Sequence, residues 1–211
     1  MKLLSVFVSA LACLGVASSD KDCSPWVTPL SLADHQKMLG KWNLISAYTD
    51  HDVYNGIFKV TQSTRMTISE SGASKDVVLY EEMRMNGTCY GSNFNISIQH
   101  DVASTSVANI STSFHLLPAC DSCMVLSSNS SAHNLRAFLE TFHIHIPNDI
   151  AIPDHINMRA VYLLAHQDHA KDADLDHFKE QAHCLGFSGE PVFMFDPKEG
   201  FCDGSDITML T

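Results

Sequence analysis

Positive charge is scarce in this chain: 13 Lys and Arg stand against 24 Asp and Glu among 211 residues, a formal net charge of −11. That balance argues against nucleic acid and anionic membrane surfaces as partners, since both attract clustered cations. Long apolar runs are also missing. Beyond residues 3–16, no stretch approaches the ~20 uninterrupted apolar residues of a membrane-spanning helix. No Pro/Gly/Ser-rich linker divides the chain, so one domain is expected, large enough to enclose a core or a cavity. Sustained helical periodicity is absent until Asp172, which points to an all-β protein. The sequence also lacks a Gly-x-Ser-x-Gly elbow and any local triad signature, so it is not expected to be an enzyme.

What is present begins with a basic start at Lys2, an apolar run from Leu3 to Val16 and the small residues Ala17-Ser18-Ser19. This is the pattern of a secretory signal, so residues 1–19 are expected to be removed and 20–211 to form an extracellular domain, in plasma or mucus. Cys13 would leave with the signal. Cys23, Cys89, Cys120, Cys123, Cys184 and Cys202 remain, and an even count in an oxidising compartment reads as three disulfides. Cys120-Asp121-Ser122-Cys123 has the spacing of a redox motif, but that motif belongs at a helix start in a βαβ setting. Lying between strands here, it reads as a turn-locking disulfide. Sequons at Asn86, Asn95, Asn109 and Asn129 predict N-glycosylation.

Strand signals recur at short spacing. The expected strands are Trp42 to Tyr48, Gly56 to Gln62, Arg65 to Ser69, Asp76 to Met85, Ser92 to Gln99, Thr105 to Leu116, Cys123 to Ser127, Asn134 to His145 and Asn157 to His166. Asn55-Gly56, Ser71-Gly72 and Asn86-Gly87 suit tight hairpins, and hairpins in series favour an up-and-down antiparallel barrel. The exception is Asp172 to Leu185, where Leu175, Phe178, Ala182 and Leu185 form one apolar stripe. Asp172 or Asp174 is expected to cap this helix, Gly186 to end it, and its stripe to lie against the outside of the barrel. Glycans indicate the strand faces: if Asn95 and Asn109 point outward, Phe94, Ile96, Ile98, Ala108, Ile110, Thr112 and Phe114 point inward.

Gly40-Lys41-Trp42 opens the first strand after a short helical lead-in from Ser31 to Leu39. Together with Leu79-Tyr80-Glu81-Glu82, Cys89-Tyr90, Ala160-Val161-Tyr162 and the run from Phe178 to Leu185, it resembles the lipocalins of the orosomucoid and apolipoprotein M branch. Within that branch the chain is most similar to the fish tributyltin-binding and saxitoxin/tetrodotoxin-binding proteins. The resemblance implies an eight-stranded antiparallel up-and-down barrel with one C-terminal helix packed outside. It also implies pairing of Cys23 with Cys184 and Cys89 with Cys202. Family members commonly cover the barrel-base tryptophan with a basic residue, for which Lys198 is the nearest candidate here.

Alternation and resemblance together suggest a cavity lined by Tyr48, Leu79, Glu81, Met83, Phe94, Ile96, Phe114, Arg136, Phe138 and Tyr162. Glu81 and Arg136 on inward faces would be costly unless paired or wet, which favours a cavity over a closed core. The expected function is extracellular carriage or scavenging of a small hydrophobic or cationic amphipathic ligand by a monomer; the resemblance implies an organotin or a guanidinium toxin. The alternative is an acidic, acute-phase-like glycoprotein acting through surface and glycan contacts with other proteins. His143-x-His145 and His166-x-x-His169 have chelating spacings, but no Cys or carboxylate cluster completes a four-ligand set, so neither metal nor cofactor is expected.

Overall fold

A computed structural model of the chain describes residues 22–72, 76–107, 109–141, 144–147, 149–204 and 207–210. The expected signal with Cys13, and also Ala108 and His143, lie outside the described residues. Eight strands form the barrel: β1 (Gly40–Thr49), β2 (Thr61–Glu70), β3 (Val77–Met85), β4 (Thr88–Gln99), β5 (Val102–Val107), β6 (Ile110–Leu117), β7 (Cys123–His133) and β8 (His155–Ala165). Each pairs antiparallel with the next, and β8 returns to β1 to close the cylinder. The β3–β4 turn shows why the hairpin signals work. Asn86 and Gly87 adopt φ of 49° and 79°, the consecutive left-handed pair that a two-residue loop requires.

Shorter elements decorate this frame: helix α1 (Ser24–Val27), helix α2 (Asp52–Val60) between β1 and β2, helix α3 (Leu135–Thr141) between β7 and β8, and helix α4 (Asp172–Cys184). Strand β9 (Phe193–Met194) adds to β1, and β10 (Ile207–Met209) lies parallel to the start of β4. The β4–β5 pairing is brief, joining Ser97–Gln99 to Val102–Ser104, so β10 borders a stretch of β4 that β5 does not reach.

Helix α4 packs on the outer surface through Phe178 and Ala182, fully buried against Ile45, Tyr48, Val125, Val161 and Leu163. Burying Phe178 alone is worth ~1.5–3 kcal/mol. The helix ends at Gly186, whose φ of 89° suits a residue without Cβ. Its cap differs from expectation. Lys171, in an extended conformation, occupies the N-cap without a side-chain hydrogen bond, while Asp172 and Asp174 sit in the first turn and favour the helix dipole instead. Three disulfides form: Cys23–Cys184 joins the N-terminal lead to α4 and Cys89–Cys202 joins β4 to the tail, as the family resemblance implies, and Cys120–Cys123 spans the β6–β7 turn.

Three strand expectations are overturned. Gly56 to Gln62 is mostly helix: α2 starts at His51, whose ring accepts from Val53 N, and the Asn55-Gly56 punctuator lies inside it. Asn134 to His145 contains α3 rather than a strand. Both segments carry apolar residues at i, i+3 and i+4, namely Tyr54, Ile57 and Phe58 in α2 and Leu135, Phe138 and Leu139 in α3, and that helical spacing outweighs their β-branched and aromatic content. Thr105 to Leu116 is two strands, β5 and β6, folded back at a tight turn and paired from Val107 with Ile110 down to Ala103 with Phe114.

Candidate functional site: an apolar cavity with one buried carboxylate

The base of the barrel is sealed by Trp42. It is buried, its indole N–H donates to Met38 O at 2.9 Å, and its ring stacks on His166 with centroids 3.7 Å apart. The His166 ring is fixed in turn by Nδ1–H donating to Lys41 O at 2.8 Å. Lys198 is instead exposed in a turn near the C-terminus, so the basic side chain over the tryptophan is a histidine. Arg65 lies nearby, stacked on Phe201 at 4.2 Å and donating to Asn43 Oδ1.

Above the base the strands enclose a cavity of ≈ 290 Å³. Six of the expected residues reach it from the strands flanking it: Leu79, Glu81 and Met83 on β3, Phe94 and Ile96 on β4, and Phe114 on β6. Tyr162 enters from β8, and Phe138 enters from α3 rather than from a strand. Ile110 and Thr112 line the same space, in agreement with the outward exposure of Asn95 and Asn109. Asn86 and Asn129 are also exposed.

Two expected residues are elsewhere. Tyr48 points away from the cavity and packs beneath α4 against Phe178 and Phe187, its hydroxyl donating to Gly189 O. The cause is a register shift against β8 between Leu44 and Ser46, which flips the alternation: Trp42, Leu44 and Ala47 face inward, while Ile45 and Tyr48 face outward. Arg136 is exposed on α3, on the side opposite Leu135, Phe138 and Leu139, so it supplies no positive charge to the cavity.

The mouth of the barrel is closed by groups that a strand-only reading misses. Tyr54 and Ile57 from α2 pack with Leu135, Leu139 and Ile144 from the β7–β8 segment, and Phe58 from α2 packs against Tyr162 and Phe193. Tyr54, Ile57, Phe58, Leu135, Leu139 and Ile144 all line the cavity. Gly56 allows the close approach: a Cβ there would lie 2.5 Å from Ile150 Cδ1. Five of the nine methionines, Met38, Met66, Met83, Met85 and Met158, also line the walls. Their unbranched thioethers suit a surface that adapts to varied shapes.

Within this apolar lining a few polar groups converge. Glu81 is the one ionisable carboxylate among the described lining residues, and Arg136 is not there to pair with it. Glu81 lines the cavity, and burial pushes its carboxyl up to about 7. Burial likewise raises Tyr54 to about 12 and Tyr162 well above the usual phenol range, the latter reinforced by the nearness of Tyr54 and Glu81. Thr105 Oγ1 is buried with no hydrogen-bond partner and belongs to the same lining, whereas Thr112 and Ser130 hydrogen-bond each other at 2.9 Å. The site thus offers a broad apolar surface, one buried carboxyl held well above the usual carboxylate range, and one unused hydroxyl, that of Thr105.

No family model and no curated protein matches the sequence. Solved structures do match the fold. The siderocalin Ex-FABP, described as functioning through dual ligand specificities, aligns with a TM-score of 0.55 at 11% identity over 76% of this chain and 95% of its own. Siderocalin Q83, described as having a dual ligand binding mode, aligns at 0.55 and 12% over 78% and 92%. The odorant-binding protein OBP1 aligns at 0.51 and 8% over 72% and 86%. At such identities the likeness concerns architecture alone, and with the closed antiparallel barrel, the outer helix α4 and the tryptophan-sealed base it shows that this chain has the lipocalin fold.

Proposed function

We propose that the protein is a secreted carrier or scavenger, not an enzyme, that holds a small, largely hydrophobic ligand in the barrel cavity. The observation that carries this reading is the enclosed space of ≈ 290 Å³ with an almost wholly apolar wall and an unpaired carboxyl inside it. A filled core would have no use for Glu81, while a ligand site commonly sets a few polar anchors in apolar walls. Covering roughly 300 Å² of apolar ligand surface at ~25 cal/mol per Å² contributes about 7.5 kcal/mol before ordering costs, enough for useful affinity without covalent chemistry. Three disulfides and the sequons support an extracellular setting, with residues 1–19 as the signal, 20–211 as the domain, and glycans at Asn86, Asn95, Asn109 and Asn129. The solved neighbours named as siderocalins and an odorant-binding protein are in keeping with this role.

The finer reading is a ligand with an apolar body and a cationic group, the chemistry shared by organotin cations and guanidinium toxins. Glu81 is the counter-charge, and Tyr162, Phe114 and Phe138 pack the apolar body. Calorimetry with a matched cationic and neutral ligand pair tests it. Glu81→Gln is expected to weaken the cation by about 1.5–3 kcal/mol and spare the neutral analogue, while Tyr162→Ala weakens both. Equal loss of both ligands in Glu81→Gln would leave the carboxyl without a role in ligand choice. A displaceable fluorescent probe that shows no saturable one-to-one uptake by the folded protein would overturn the carrier reading itself.

A further inference from the structure

A second cluster of chemistry-bearing side chains lies at the mouth. Strand β7 ends at His133 and β8 begins at His155, and the two are direct cross-strand partners. The segment between them carries α3 and Ile144, whose side chains close the cavity. The histidines therefore stand at the two roots of the mouth cover. Their Nδ1 atoms are 3.2 Å apart, their ring centroids 4.2 Å apart and their planes 35° from parallel, and both residues are exposed.

At this distance one ring's Nδ1–H can donate to the other's Nδ1 lone pair, and when both rings carry their proton on Nε2 the same two lone pairs are free to meet a metal ion. The spacing suits a metal. Two Zn–N bonds of ~2.0–2.1 Å span about 2.9 Å at a right angle and about 3.4 Å at the tetrahedral angle. The observed separation falls inside that interval. The rings lie 35° from parallel, so a shared ion requires a rotation about χ2, which exposed side chains allow. The backbone beneath is already fixed: His133 N donates to Asn109 O at 2.9 Å, and Asn134 N donates to Asp154 O at 2.8 Å, so the two Cα positions need not move. The exposed carboxylate of Asp154 precedes His155 in the chain, and the chain is acidic overall, which favours a cation. Other histidines are differently engaged, His166 with Trp42 and Lys41 O and His169 with Asp168.

We infer that His133 and His155 form a binding site for a divalent transition-metal ion of the imidazole-preferring class, such as Zn²⁺ or Cu²⁺, with water completing the coordination. The bound ion ties together the two roots of the segment that covers the cavity. This site is separate from the ligand cavity and stands whether or not the cavity reading holds.

The test uses untagged, disulfide-intact full-length secreted protein, stripped with a chelator and titrated with Zn²⁺ and Cu²⁺ in a calorimeter. One ion per chain is expected, with His133→Ala and His155→Ala each weakening binding at least about tenfold and His169→Ala leaving it unchanged. His133→Gln and His155→Gln, which keep a polar side chain, serve as second variants, and circular dichroism checks that all are folded. In the wild type, metal is expected to slow amide hydrogen exchange in Leu135–Thr141, and in the variants to leave it unaltered. Absence of metal-dependent heat would overturn the proposal. So would unchanged affinity in the folded histidine variants, which would leave the pair as an N–H···N hydrogen bond alone.

Discussion

The two ends of the barrel are closed in different ways. At the base, one aromatic ring is held by directional bonds: Trp42 is stacked on His166 and hydrogen-bonded to Met38 O, and His166 is itself anchored to the β1 backbone. At the mouth, two short helices and the chain after α3 meet mainly through apolar contacts, with Ile150 seated over Gly56 and Leu139 and Ile144 buried beside Val53. Directional bonds define a single arrangement. Apolar contacts are less directional, so the mouth is expected to open locally more readily than the base.

The comparison can be broken by substitution. The largest effect is expected at the base, where Trp42→Ala removes a buried aromatic ring and its hydrogen bond and should cost about 3–5 kcal/mol in urea unfolding. A loss no larger than that of a surface change would put the base on a par with the mouth. Next comes the paired change of Cys23 and Cys184 to Ser. It releases the lead that packs Trp26 on His177 and lets Gln181 donate to Trp26 O, and should cost about 2–4 kcal/mol while leaving the cavity competent for ligand.

Glu81 gives a pH-dependent test between the two ends. Its carboxyl is raised to about 7 in the folded protein, against about 4.3 in an unfolded chain. Below the unfolded value both states hold the proton and nothing is lost. As pH rises toward 7 the unfolded chain releases a proton that the folded protein retains, so stability falls, by up to about 4 kcal/mol, and levels off above pH 7. Glu81→Gln should therefore be more stable than the wild type at pH 8 and no more stable at pH 4. Parallel melting curves at the two pH values would show that the carboxyl is not desolvated. The smallest effect is expected for Gly56→Ala. Helix propensity gains up to about 1 kcal/mol, and the new methyl displaces only the flexible end of Ile150, so global stability should change little. The 144–147 segment should nonetheless exchange its amide hydrogens faster, because the seat of Ile150 is spoiled.

The barrel was legible in the sequence because its signals are local and redundant. Gly40-Lys41-Trp42, the Asn86-Gly87 turn and the stripe on α4 each mark one element, while the cysteine pairing came from the family resemblance. Most of the cavity wall was legible too, since inward positions on β4 and β6 alternate from the exposed sequon asparagines Asn95 and Asn109, and those on β3 follow the family resemblance and their own alternation. Tyr48 was misplaced because a one-residue register shift in β1 leaves no mark in composition. Arg136 was misplaced because α3 was read with period two. The mouth cover went unseen for the same reason: a seven-residue helix and a nine-residue helix rich in Val, Ile, Phe and Tyr look like strands until their i, i+3, i+4 spacing is weighed. The histidine over Trp42 lies 124 positions along the chain from it, beyond the reach of any local pattern.

The methionine-rich wall makes the cavity vulnerable to oxidants. Conversion of a thioether to a sulfoxide replaces a soft apolar contact with a strong dipole, and five such groups face one small space. Met38 supplies the carbonyl that anchors Trp42 as well as part of the cavity floor, so damage there would reach both the seal and the pocket. On the carrier reading proposed above, an occupied cavity, whose ligand shields the sulfurs, would resist peroxide longer than an empty one.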